Sequence, residues 1–361
     1  MRYIKPARKV FFTGSQAIFG ELMRKQVPSP QVNIPSNEYP ILLMHGFMGF
    51  SKMEIAGIKL FDYFNGVKLC LEQMGYTVMS PEVNPIDTPQ NRAKQWAKEL
   101  DILLDNSGAQ KAHLICHSQG CLDARVLAAD CSNFCTTPQQ GELRGIGYGD
   151  KIASMTHLGG PHLGTILAET TDTSQTAEFF MDLIGLIAMM TGSPFSSAEK
   201  TVACFTPTFM KDTFNKQIHV PDHIPCYTVA GAPETEEQVG FMFDGSWNTL
   251  NNMPISEGGG QNDGFVTTNS AHFAGNKTKL KGSHELQWQS LGNIHADHVA
   301  MIGIPLELKS NNHFSHLPMF IGMAQHIDTC YKRNVQMALQ ASGEWLRHCA
   351  LLDNNKTNES V

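Results

Sequence analysis

Short apolar runs bounded by turn residues alternate along the chain with segments of helical spacing. Ile41-Leu-Leu-Met44, closed by His45-Gly46, predicts a buried strand. Ala112-His-Leu-Ile-Cys116, Ile152 to Leu158 and Cys226 to Ala230 predict three more. Between the first two, Ala93, Trp96, Ala97, Leu100 and Leu103-Leu104 recur at the 3.6-residue period and predict a helix over Asn91 to Leu104. Leu122 to Ala129 predicts a second helix. Strands that alternate with helices must be covered on both faces, so the pattern predicts an α/β fold with a mostly parallel sheet.

Two segments break the alternation. Ala177 to Met190 is apolar almost all round, with a narrow acidic edge at Glu178 and Asp182. It reads either as a buried core helix or as a helical lid over about residues 170–200, because long insertions often cover a cleft. Residues 1–38 form a basic extension in which Val10-Phe-Phe12, Ile18-Phe19 and Leu22-Met23 lie between charged ends. This extension reads as an amphipathic segment on a membrane surface or as an ordinary docked helix. Pro28-Ser-Pro30 and Pro35-Ser-Asn-Glu separate it from a catalytic domain expected over 39–350, and the polar stretch 351–361 is expected to fray.

Charge changes the picture in one respect. The net charge is −7, while residues 1–26 carry six basic groups against Glu21 alone, so +5 there and −12 beyond. An acidic body argues against nucleic-acid binding. With only 17% charged residues, the surface suits contact with greasy material. No apolar run approaches the ~20 residues of a membrane span, and Thr13-Gly-Ser-Gln16 interrupts anything like a secretory core. The location is left unassigned between the cytoplasm and export by a leaderless route. Nine cysteines are scattered without metal or disulfide spacing and read as buried thiols.

Candidate chemistry centres on Cys116-His-Ser-Gln-Gly-Cys121. A strand that ends in x-Ser-x-Gly and turns straight into a helix holds the Ser118 hydroxyl at the tip of a sharp turn. The helix N-terminus beneath it offers unpaired N–H groups to a developing negative charge. Gly120 is required for close approach of strand and helix, and Cys116 crowds the position where the motif favours a second glycine. Upstream, His45-Gly-Phe-Met-Gly49 frees the Phe47 N–H to join that of Gln119 as an oxyanion hole. A nucleophilic serine needs a base oriented by a carboxylate, in the chain order Ser, acid, His. Asp263, in Gln261-Asn-Asp-Gly-Phe-Val266, is a candidate acid that also reads as a plain turn. Eight histidines follow it: His272, His284, His295, His298, His313, His316, His326 and His348. Local chemistry does not choose among them. Paired histidines such as His157 with His162 invite a zinc reading, but no set of four Cys/His ligands has structural-zinc spacing, so no zinc is expected.

The motifs together resemble the bacterial true-lipase family of Pseudomonas, Burkholderia and Proteus type. Tyr39-Pro-Ile-Leu-Leu-Met-His-Gly-Phe-Met-Gly-Phe50 is similar to its first strand and oxyanion turn, and His117-Ser-Gln-Gly120 to its nucleophile motif. Leu158-Gly-Gly-Pro-His-Leu-Gly164 resembles the loop before its lid, and Thr208 to Asn215 the stretch after it. Asn262-Asp-Gly-Phe-Val266 resembles its acid loop, and His295-Ala-Asp-His-Val299 its His-x-Asp-x-Val loop. The likeness covers roughly residues 39–305. It implies an α/β-hydrolase fold with a lid, and a serine ester hydrolase working through an acyl-enzyme on medium- or long-chain acyl esters. The implied triad is Ser118, Asp263 and His295. It further implies a structural calcium held by Asp244 and Asp297 with the backbone carbonyls of Met301 and Pro305. The implied partners are a lipid or ester substrate and a lipid surface touched through the lid or the N-terminal segment. Phospholipase and polyester depolymerase are alternatives within the enzymes, and a catalytically silent membrane-binding protein is the alternative outside them.

Overall fold

The computed structural model describes residues 39–47, 53–55, 58–131, 143–169, 195–241, 243–304 and 314–331. The basic extension 1–38, the apolar segment Ala177 to Met190 with most of the expected lid, and the tail 351–361 lie outside the described residues.

Six strands form the central sheet: β1 (Ile41–Met44), β2 (Val78–Met79), β3 (Ala112–His117), β4 (Ile152–Leu158), β5 (Cys226–Gly231) and β6 (Trp288–Ile294). Their order is β2-β1-β3-β4-β5-β6, and every neighbouring pair is parallel. Met44 lies opposite Cys116, and His117 opposite Leu158, which brings the C-terminal ends of β1, β3 and β4 to one edge. In open parallel sheets this edge is where ligands bind. A separate two-stranded antiparallel hairpin, Met53–Ile55 with Ile58–Phe61, was not expected from the sequence.

Alternation along the strands sends side chains to two cores. Leu42, Met44, Ala112, Leu114 and Cys116 face one side, with Trp96, Leu100 and Leu122 from the helices Pro89–Ser107 and Gln119–Ala128. Ile41, Leu43, Ile115 and Leu158 face the other, with Val67 and Leu71 of Val67–Gln73 and Phe320, Met323 and Ile327 of a helix over 316–331. Both faces are thus covered, as the pattern requires. Each large apolar side chain taken fully from water contributes roughly 1.5–3 kcal/mol.

Local chemistry explains the element ends. The helix Pro89–Ser107 outruns its apolar stripe at both ends. Thr88 accepts from the Asn91 N–H, Pro89 opens the first turn, and Gly108 closes the last with φ 68°. The sixth strand has few buried side chains and a Gln-Ser-Leu-Gly-Asn interior, so its apolar signal is weak, as befits a sheet edge.

Candidate active site

The nucleophile turn follows from strand β3 running straight into the helix Gln119–Ala128. Ser118 sits between them with φ 54° and ψ −125°, a backbone conformation that strains a non-glycine residue. Its N–H donates to Leu158 O at 2.9 Å, tying the turn to the end of β4. A β-carbon at Gly120 would come within 2.5 Å of Met44 O, so the close approach expected there is real. Cys116 fits because its side chain leaves the turn altogether: it lies buried with Sγ 3.6 Å from Met44 Sδ.

The oxyanion turn is clamped from two sides. A β-carbon at Gly46 would lie 2.6 Å from Ser118 Cβ and 2.9 Å from Tyr63 Oη, so only glycine lets this turn reach the nucleophile. Below it, buried Arg92 donates from Nη2 to His45 O at 2.6 Å and from Nε to Asp123 Oδ2 at 2.7 Å. Trp96 Nε1 donates to the same carboxylate oxygen at 3.0 Å. His45 accepts the Val83 N–H on Nε2 and donates from Nδ1 to Gly46 O; burial and the Arg92 charge hold it neutral, its pKa pushed down to about 3. Phe47 and Gln119 therefore stand on fixed backbone, with Gln119 at the helix start where no helical acceptor exists for its N–H. In sequence Arg92 and Asp123 look like ordinary surface charges on two helices; only packing reveals them as a buried pair.

Asp263 is no plain turn residue. Its Oδ1 accepts the N–H groups of Phe265 (2.9 Å) and Val266 (2.7 Å), and Oδ2 accepts Nδ1–H of His298 at 2.7 Å. The His298 N–H returns to Asp263 O at 2.8 Å, so ring and backbone are both registered on the acid loop. The partner is thus His298 rather than the expected His295. The His295 side chain is 60% exposed and lies 3.8 Å from Glu234 on the surface. The physical reason lies in the loop after β6. Ala296 N–H turns back to Ile294 O, and the Asp297 carboxylate gathers the N–H groups of Gly240, Val299 and Ala300. That turn points residue 295 to water and brings residue 298 under the sheet edge. His298 also reaches the nucleophile turn: its carbonyl accepts Nε2–H of His117 at 2.8 Å, with the rings 4.7 Å apart.

The same bonds bear on calcium. Asp297 is almost fully buried, burial raises its pKa, and three N–H donors already occupy its oxygens. A carboxylate has about four lone-pair sites, so little is left for a hard cation that takes 6–8 oxygens. Met301 N–H donates to Asp297 O, Asp244 is half-buried at the start of the helix Asp244–Asn252, and Pro305 lies outside the described residues. Asp297 therefore has little oxygen left for calcium, because backbone N–H groups already hold its loop. Chelator is accordingly expected to leave the melting curve unchanged relative to excess calcium, which differential scanning calorimetry reads directly.

A third donor joins His157 and His162: Cys121 Sγ and the two imidazoles lie within 4.8 Å of one another, all buried. Arg125 decides against a dication here. Its guanidinium lies 3.5 Å from His162 Nδ1 and over the rings of Phe273 and Phe214, with Asn215 Oδ1 and Ile218 O as acceptors. Burial pushes its pKa down to about 9, and adding two charges beside it would be strongly opposed. The cluster suits neutral imidazoles and a neutral thiol. Five of the seven described cysteines are buried, as the sequence suggests.

Comparison with known proteins agrees with this geometry. No family model matches the chain. A triacylglycerol lipase of Pseudomonas fragi is 34% identical over 134 residues, which span 37% of this chain and 38% of that lipase. A triacylglycerol lipase of Vibrio cholerae is 26% identical over 268 residues, 67% of this chain and 77% of its own length. Among solved structures, lipase 1 of Pelosinus fermentans superposes with a TM-score of 0.56 at 18% identity, covering 81% of this chain and 99% of that one. Staphylococcus hyicus lipase gives 0.58 at 17% identity, covering 86% and 99%. The parallel sheet, the strained serine turn and these likenesses show an α/β-hydrolase fold, and the chain is similar to bacterial lipases along part of their length.

Proposed function

We propose that this chain hydrolyses carboxylic esters of medium or long acyl chains through an acyl-enzyme on Ser118. The observation that carries the reading is the Asp263–His298 pair at 2.7 Å, bonded through its own backbone to the residue before a strained, buried serine. Asp263 accepts Nδ1–H and so leaves Nε2 of His298 as the free base. Ser118 Oγ attacks the ester carbonyl as its proton passes to Nε2, and the Phe47 and Gln119 N–H groups stabilise the oxyanion. Collapse breaks the C–O bond, and the imidazolium returns the proton to the departing alkoxide. Water then repeats the sequence on the acyl-enzyme, releasing the acid and freeing Ser118.

Lipid esters as substrates rest on the relatives, which carry the name triacylglycerol lipase. The neck of the expected lid supports a covering insertion: Thr165 N–H donates to Phe205 O at 2.8 Å, and Glu169 accepts from Thr208 N–H and Oγ1–H, so the ends of segment 170–204 are pinned together. Among the described residues no helix is long and apolar enough to cross a membrane. A panel of nitrophenyl esters of rising chain length, with and without an oil–water interface, tests the reading. It predicts rates that rise from acetate to longer chains and rise further at an interface. Hydrolysis confined to acetate would remove the lipid assignment, and no hydrolysis of any ester would favour a silent binding protein.

A further inference from the structure

His117 and Tyr63 have no role in the mechanism above, yet they join its two halves. His117 Nε2 lies 2.8 Å from His298 O, Tyr63 Oη lies 2.6 Å from His117 Nδ1, and Gly46 N lies 2.9 Å from Tyr63 Oη. The direction of every bond follows from donor chemistry. A backbone carbonyl only accepts, so His117 Nε2 carries the hydrogen. Burial, and then the neighbouring His298, keep this imidazole neutral, so Nδ1 is a lone pair and must accept from Tyr63 O–H. The Tyr63 oxygen in turn accepts the Gly46 N–H. The bonds therefore run one way, from the oxyanion turn through phenol and imidazole to the backbone of the base, and bonds aligned in this manner polarise one another. Gly46 adjoins Phe47, one oxyanion donor, and His117 adjoins Ser118.

We propose that Tyr63 and His117 are positioning residues that lock the oxyanion turn and the His298 loop into one register across the nucleophile. The proposal rests on the ester-hydrolase reading of the site. Neither residue touches the reacting atoms; together they hold the Phe47 N–H and the His298 ring at fixed distances from Ser118, where a shift of about 1 Å costs roughly a hundredfold in rate. The neutral state of His117 also matters, because its ring lies beside the imidazolium that forms during turnover. Such a device is hidden in the sequence. Tyr63 follows a hairpin with no motif of its own, and His117 reads only as the variable residue of the serine motif.

The test measures kcat and KM separately for Tyr63→Phe, His117→Leu and His117→Gln on a soluble ester, at a temperature where each is folded. Tyr63→Phe and His117→Leu are expected to lower kcat roughly 10- to 100-fold at nearly unchanged KM. His117→Gln keeps a donor and an acceptor and is expected to recover most of the loss. Adding Tyr63→Phe to His117→Leu should cost little more, since one broken link already uncouples the chain. A folded Tyr63→Phe within twofold of the unaltered kcat overturns the proposal, and so do losses that simply multiply. Should His117→Leu fail to fold, Tyr63→Phe decides alone, because it removes a single oxygen. Failure of the ester-hydrolase reading looks different: the unaltered protein itself would show no turnover.

Discussion

His298→Ala is expected to lower kcat on a soluble nitrophenyl ester by roughly 10⁴- to 10⁶-fold, while His295→Ala stays within about twofold of the unaltered chain. The two histidines are three residues apart and share one loop, so the comparison controls for local disturbance. His298 is buried against Asp263 and meets the nucleophile turn through its carbonyl; His295 is solvent-facing beside Glu234. In the proposed mechanism, removing the imidazole at 298 leaves Ser118 without an acceptor for its proton, and only oxyanion stabilisation and binding remain, worth roughly 10³ over water. The sequence places His295 in the family's His-x-Asp-x-Val pattern. It does not show that the Asp of that pattern spends its oxygens on Gly240, Val299 and Ala300 and so turns the loop by its own hydrogen bonds.

Acid is expected to destabilise the protein progressively as pH falls below 6.5 and to unfold it in one cooperative transition. Five histidines lie in the interior with depressed pKa values: His45 at about 3, His113 at about 4, His157 at about 3, and His117 and His162 well below the ordinary value of 6.5. Burial is the largest cause in each case. Their stabilising contribution is present above pH 6.5, where neither state binds the proton. It is lost as pH falls, because the unfolded chain takes up protons that the folded chain refuses. At pH 5.5 each such group costs on the order of 1 kcal/mol, so together they remove several kcal/mol. Asp123, raised to about 6 by burial, acts in the opposite sense, since the folded chain binds its proton more tightly; at pH 5.5 it offsets only about 1 kcal/mol. A domain near the lower end of the usual range, roughly 5–15 kcal/mol, loses most of its stability within this window. Circular dichroism and tryptophan fluorescence across pH 8 to 4 should show one coincident transition. A melting temperature that is flat down to pH 4.5 would mean that these imidazoles are charged or hydrated in the folded state.

How much of this was legible depends on where each signal resides. Strands β1 and β4 begin and end where their apolar runs do, because both are buried on two faces and flanked by turn residues. Ser118, Gly120 and the oxyanion turn were legible because their conformation demands particular residues at fixed spacing. Asp263 needed the family likeness to rise above a plain turn, and the structure then bonds its carboxylate to the Phe265 and Val266 N–H groups and to His298. What was not legible is tertiary. Strand β6 hides its pattern at the sheet edge, and Arg92 and Asp123 meet only when two helices pack. Tyr63 and His117 are 54 residues apart and signal nothing until their atoms lie 2.6 Å apart. The histidine partner of Asp263 was missed for the same reason: loop direction is fixed by hydrogen bonds, not by residue spacing.

The central claim is that Ser118 is a nucleophile activated by His298, and covalent labelling tests it most directly. The purified protein is treated with a fluorophosphonate, digested and mapped by mass spectrometry. The account predicts one adduct per chain, on Ser118, lost in a folded Ser118→Ala and formed far more slowly in His298→Ala but not in His295→Ala. A folded, unlabelled protein, an adduct on another residue, or labelling slowed by His295→Ala instead of His298→Ala would contradict it.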